Sequence, residues 1–200
     1  AMNADLGMTA ALDSVMFARD LLFAWLCALL AWTVWKRYKN VVYRLLALWP
    51  LVVSLVFGVF QRFTLAVFPQ LALFTEALGG GGIVTLQNVN VVTAYIPLLL
   101  LYFTFAACLV NTYLAFGHTS QALCALALLF FGFLSRAMLG FSPTVWTSGI
   151  RTGFFFSLCT IAVCTMLFKQ LKPVKGAQRV AFAVLFGASC LFQMYSLLEM

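Results

Sequence analysis

The feature that most constrains this chain is its set of long apolar runs. Leu21 to Trp35 and Pro97 to Val110 proceed without the alternation of apolar and polar residues that a membrane β-barrel strand needs. Backbone amides and carbonyls in lipid must be satisfied within the protein, which leaves helices or a closed barrel. Without alternation the runs read as helices. A hydrocarbon core of roughly 30 Å calls for about 20 apolar residues per helix. Composition points the same way: 64% of residues are hydrophobic and 8% are charged, against about a quarter charged in a soluble domain. A soluble fold of this length has no interior able to hide so much apolar surface. The expected fold is all-α: a polytopic transmembrane helix bundle of about six spans, forming a single domain over residues 1–200.

The expected spans follow from the polar breaks. The first is Ser14 to Trp35, ending in the interfacial residues Trp32 and Trp35. Val41 to Phe60 is the second, with a kink expected at Trp49-Pro50 because proline removes a helix hydrogen bond. Leu65 to Phe74 is apolar but short and broken by Pro69, so it reads as an interfacial or re-entrant piece. The third span is Val92 to Phe116, the fourth Gln121 to Leu139. The fifth begins near Ile150 or Phe154 and ends at Phe168, and the sixth is Val180 to Leu198. No basic region precedes the first run, so a cleavable signal peptide is not expected.

The net charge of +7 does not read as a nucleic-acid signature. The cations fall in short clusters between apolar runs, as in cytoplasmic loops. One cluster is Lys36, Arg37, Lys39 and Arg44; the other is Lys169, Lys172, Lys175 and Arg179. With both inside, the two termini are expected to be extracytoplasmic, and the turn around His118 is inside. All five acids, Asp5, Asp13, Asp20, Glu76 and Glu199, then fall outside, so carboxylate or divalent-metal chemistry is expected on that face alone.

Smaller features have plain readings. The six cysteines lie inside apolar runs with no CxxC pair and read as buried reduced thiols rather than a zinc or disulfide framework. Gly79 to Gly82 lacks the Lys-Ser/Thr of a phosphate-binding loop and reads as a hinge. His118, the one histidine, reads as a solvated turn residue. Small residues at Ala106-Ala107, Ala122-Ala125 and Gly187-Ala188-Ser189 are candidates for close helix packing.

The segment richest in chemistry is Ser135 to Gly153, SRAMLGFSPTVWTSGIRTG. Arg136 closes one span and Arg151 opens the next. Between them lie hydroxyls, a proline and glycines. Arginine suits bidentate phosphate contacts, and a helix N-terminus favours an anion. The segment fits a lipid phosphate or pyrophosphate, and equally an interfacial loop whose arginines contact phospholipid headgroups.

The string Ser-Arg-x-x-x-Gly-Phe-Ser-Pro-Thr-x-x-x-Ser-Gly-x-Arg-Thr, Ser135 to Thr152, resembles a motif in the C-terminal half of a family of bacterial polytopic membrane proteins. Those are similar in layout to the GT-C class of membrane glycosyltransferases. The motif covers about one tenth of this chain. The resemblance implies a glycosyltransferase-like protein of the bacterial inner membrane. It would use a polyprenyl-phosphate-linked sugar donor on the extracytoplasmic face, in cell-envelope glycan assembly. It implies donor-phosphate contacts at Arg136, Ser142, Ser148 and Arg151. It also implies that the chain is the C-terminal part of a longer protein, since that class usually has more than six spans and an acidic motif in its first outer loop. Asp20 and Glu76 are the candidate catalytic acids, as base or as ligand of a divalent metal. The expected partners are the lipid bilayer and the polyprenyl-phosphate donor. Two alternatives stand beside this reading: a non-catalytic membrane scaffold or accessory subunit, and a small-molecule transporter, although transporters usually carry ionisable residues deep in their spans.

Overall fold

A computed structural model describes residues 21–69, 95–138, 153–170, 180 and 183–191. Every regular element among them is helical. In chain order these are α1 (Leu21–Arg37), α2 (Val41–Val53), a π-helical turn (Ser54–Val59), α3 (Gln61–Val67), α4 (Tyr95–Phe116), α5 (Ser120–Met138) and α6 (Gly153–Gln170). Residues 183–191 form a further helical stretch. Two helices, Val41–Val59 and Leu99–Phe116, are long and apolar enough to cross a membrane; Ser120–Ser135 and Phe154–Gln170 are shorter apolar helices.

α1 is the hub. It packs on α2, α4 and α6, while α5 closes the far side by packing on α4 and α6. Its buried residues, among them Leu22, Phe23, Leu26, Leu29, Leu30 and Val34, spread over more than one face, as expected of a helix that is apolar around most of its circumference. Phe116, Leu101, Leu129 and Leu167 supply the core from the surrounding helices.

The outward faces are apolar as well. Leu99, Phe103 and Val110 on α4 are exposed, as are Leu123, Phe130 and Phe131 on α5 and Phe154, Phe155 and Leu158 on α6. Soluble monomers rarely show contiguous apolar surface on this scale.

Polar groups inside the bundle are spent locally. Thr104, Thr112 and Thr160 are fully buried, and each hydroxyl donates to the carbonyl four residues earlier in its own helix, at 2.7, 2.9 and 2.9 Å. Back-bonding of this kind removes the cost of an unpaired hydroxyl at the price of a slight helix distortion. Trp49 Nε1 also donates to Thr104 Oγ1 at 3.1 Å, tying α2 to α4.

Element boundaries differ from the sequence expectation in one instructive place. The second apolar run does not simply end at Gln61 and Arg62. The helix continues through Pro50 to Val53, loosens into the π turn, breaks at Phe60 (φ −100°, ψ 19°) and restarts as α3. Phe60 N–H reaches back to the Leu55 carbonyl at 2.8 Å, and Thr64 Oγ1 donates to the Val56 carbonyl at 2.9 Å. These bonds satisfy carbonyls that the irregular turn removes from the α-helical ladder. α3 ends at Val67, two residues before Pro69, where proline and its predecessor disfavour helix.

Candidate functional site

The segment Ser135 to Gly153 is held at both ends by one helix pair. α5 and α6 pack against each other more extensively than any other pair among the described residues. They are antiparallel: Gln170 Nε2 donates to Gln121 Oε1 at 3.2 Å at one end, and Gly132 abuts Phe156 and Cys159 further along. A Cβ at Gly132 would stand 3.1 Å from Cys159 Cβ and 3.2 Å from Phe156 Cδ2, so the missing side chain sets how closely the helices approach. Ser135 Oγ donates to the Gly132 carbonyl at 2.7 Å. Continued along this pair, the register brings Met138 and Gly153 to the same end of the bundle.

Arg136 belongs to the last turn of α5. Its side chain, and the other predicted phosphate contacts Ser142, Ser148 and Arg151, lie outside the described residues, as do Asp20 and Glu76. The described helices carry no Asp or Glu, so nothing within them offers a carboxylate to a divalent metal. Among the described residues no group of three His, Cys, Asp or Glu side chains converges.

The opposite end of the bundle is basic. The C-termini of α1, α4 and α6 meet there with the N-termini of α2 and α5, as contacts from Arg37 to Ala115 and from Gln170 to Gln121 show. Lys36, Arg37, Lys39, Arg44 and Lys169 are therefore gathered at one end with His118. The sequence clusters around Lys36 and Lys169 and the His118 turn were expected to share a side, and their described members do.

Arg37 is a structural cation here. Its Nη1 donates to the Ala115 carbonyl at 3.0 Å, where the α4 C-terminus leaves carbonyls unpaired and the helix dipole favours a positive charge. Gly117 follows in the left-handed region at φ 68°, which only glycine adopts without a Cβ penalty. A Cβ on Gly117 would lie 2.5 Å from Arg37 Nη2, so the glycine also makes room for the guanidinium. Arg44 Nε donates to the Tyr38 carbonyl at 3.0 Å, and Asn40 Oδ1 accepts from Val42 N–H at 3.0 Å to cap α2. His118 is exposed, as expected, with Nδ1 2.6 Å from Tyr113 Oη and its ring edge-on to that tyrosine.

Sequence reasoning missed three features. One is Gly132, whose role emerges only where α6 lies against it. Another is Asn111 on α4, fully buried, whose Nδ2 donates to the Leu46 carbonyl of α2 at 3.0 Å; its Oδ1 has no partner. The third is the bond from Trp25 Nε1 to Ser189 Oγ, 3.0 Å, which ties α1 to the last described helix. Of the small-residue candidates, Ala107, Ala122 and Ala125 are buried in helix contacts. Gly187 is only half-buried, and a Cβ there would meet nothing within 4 Å.

Comparison with protein-family models, with curated proteins and with solved structures finds no match.

Proposed function

We propose that the chain is an integral protein of the bacterial inner membrane with about six spans. In this reading its Ser135–Thr152 segment binds the phosphate of a polyprenyl-phosphate-linked sugar on the extracytoplasmic face, in a glycosyltransferase-like role in cell-envelope glycan assembly. The observation that supports the membrane placement is the polarity of the bundle: apolar outward faces on α4, α5 and α6, with the described lysines and Arg37 and Arg44 gathered at one end. Cytoplasmic positive charge would set that end inside. The α5–α6 hairpin would then present Met138 and Gly153, and the segment between them, to the outer leaflet. Arg136 and Arg151 would clamp the phosphate, with Ser142 and Ser148 as hydroxyl donors. Asp20 or Glu76 would supply the base or hold a divalent metal.

A second reading, a non-catalytic scaffold or accessory subunit, is favoured by one observation. The described helices contain no carboxylate, and their buried hydroxyls on Thr104, Thr112 and Thr160 are committed to their own backbones. The same observation counts against the transporter reading, which calls for ionisable groups along a path through the spans.

Native mass spectrometry of the detergent-purified protein with a polyprenyl phosphate separates the readings. The phosphate-site reading expects specific binding by wild type and its loss in the Arg136→Ala, Arg151→Ala variant. Equal binding by both, or none, would leave the segment as an interfacial anchor and put the scaffold reading first. Reporter fusions at both termini test the topology, with extracytoplasmic signals expected.

A further inference from the structure

We infer that the corner between the end of α1 and the start of α2 is a docking surface for anionic phospholipid headgroups, an inference that rests on the membrane placement proposed above. Two cations at this corner are held over aromatic faces: Lys36 Nζ lies 5.0 Å from the Trp32 ring centroid and Arg44 Cζ 4.7 Å from that of Trp35. Both indoles are exposed, at 56% and 46%. Stacking of this kind fixes long side chains that would otherwise lose rotamer entropy on binding a ligand. Arg44 is fixed further by its Nε bond to the Tyr38 carbonyl, which leaves its η nitrogens for a phosphate. Lys39 is exposed beside the Asn40 cap. Arg37 takes no part, being committed to Ala115.

Two facts choose a lipid over a soluble anion or an acidic protein. The described residues include no carboxylate to neutralise these cations, so the corner is complementary to negative charge. The same corner exposes apolar surface in the first turn of α2, with Val41 at 64% and Val42 at 67%. A phospholipid covers both features at once, phosphate against the cations and acyl chain against the valines and indoles. Tryptophan and basic residues favour this depth of a bilayer.

The test is native mass spectrometry of the full chain, titrated with phosphatidylglycerol or with phosphatidylcholine of the same acyl chains. Wild type should retain phosphatidylglycerol preferentially. The Lys36→Gln, Lys39→Gln variant changes only exposed side chains and should bind it about tenfold more weakly. Lys169→Gln removes a charge from α6, which packs on α1 and α5 rather than on α2, and should weaken binding clearly less than the double variant does. Equal retention of the two lipids by wild type would overturn the inference, as would an undiminished preference in the double variant or an equal loss in Lys169→Gln. The Arg136→Ala, Arg151→Ala variant keeps the two sites apart: it should retain the phosphatidylglycerol preference even where polyprenyl phosphate binding is lost or was never present. Release of the protein from membranes by alkaline carbonate would instead remove the membrane placement, and this inference with it.

Discussion

Asn111 on α4 donates its amide to the carbonyl of Leu46, the group in α2 that Pro50 leaves without a helix partner. In a regular helix the carbonyl of Leu46 would accept from the N–H of residue 50, and proline has none. The Asn111 bond, 3.0 Å long and made by a fully buried side chain, replaces it from the neighbouring helix. A buried carbonyl left without such a partner carries a desolvation cost. The proline and the asparagine are therefore one device, and α2 passes through Pro50 without ending.

A double-mutant cycle tests this pairing. Asn111→Ala should destabilise the folded bundle by about 1 kcal/mol, the scale of interhelical polar contacts in membrane proteins. Pro50→Ala restores an N–H for the Leu46 carbonyl, so Asn111→Ala in that background should cost less than half as much. Thermal unfolding in detergent reads both values. An Asn111→Ala cost that is unchanged by Pro50→Ala would sink the idea.

Gly117 and Arg37 form a second coupled pair. Gly117→Ala has a backbone cost of about 1 kcal/mol for a left-handed alanine. It also drives the guanidinium away from the Ala115 carbonyl, because the new Cβ would sit 2.5 Å from Nη2. The loss in Gly117→Ala should therefore exceed the backbone cost, at about 2 kcal/mol in all. In an Arg37→Ala background only the backbone portion should remain. Equal costs in the two backgrounds would show that the arginine does not cap α4.

The helical class and most boundaries were legible in the sequence because they depend on local chemistry. The basic cluster that begins at Lys36 ends one apolar run at α1, and the turn around His118 ends another at Phe116. The partners of those elements were not legible. Pro50 was visible as a helix disturbance, but nothing local pairs it with a helix whose asparagine reaches the Leu46 carbonyl from 65 positions away. The π turn at Ser54–Val59 has no composition that separates it from α-helix. Gly132 and Gly187 show the limit most plainly: both are glycines in apolar runs, yet one sits in a close crossing and the other has open space where a Cβ would stand. The choice between them is made by α6, not by their neighbours in sequence.

The α5–α6 pair gives a third prediction. Gly132→Val places branched carbons against Cys159 and Phe156, where a single Cβ would already be 3.1 to 3.2 Å from its neighbours. Overpacking of this kind costs about 1–3 kcal/mol. Gly132→Ala should be much milder, since alanine recovers about 1 kcal/mol of helix propensity. Gly187→Val, with open space at its Cβ, is the control and should change thermal stability little. Comparable losses at Gly132 and Gly187 would mean that glycine is needed in these helices for some reason other than the α5–α6 crossing.

The attachment of the last described helix supplies the fourth. Ser189 Oγ accepts from Trp25 Nε1 at 3.0 Å and donates to the Leu185 carbonyl at 2.9 Å, so one hydroxyl joins helix 183–191 to the hub helix. Much of that helix is exposed, including Val184, Leu185 and Leu191, while Phe186 packs against the core. Ser189→Ala removes the acceptor and leaves the Trp25 N–H on a part-buried face, at a cost of about 1 kcal/mol. Because that cost falls on one attachment, its effect should be local. Amide exchange over residues 183–191 should speed up by about fivefold, the factor that corresponds to this energy, while exchange in α5 and α6 stays unchanged. Trp25→Phe keeps the aromatic bulk and removes the donor, and should reproduce the same local pattern. Uniform acceleration through the whole bundle would instead make Ser189 part of the global fold, and no change would mean that apolar contacts alone hold the helix in place.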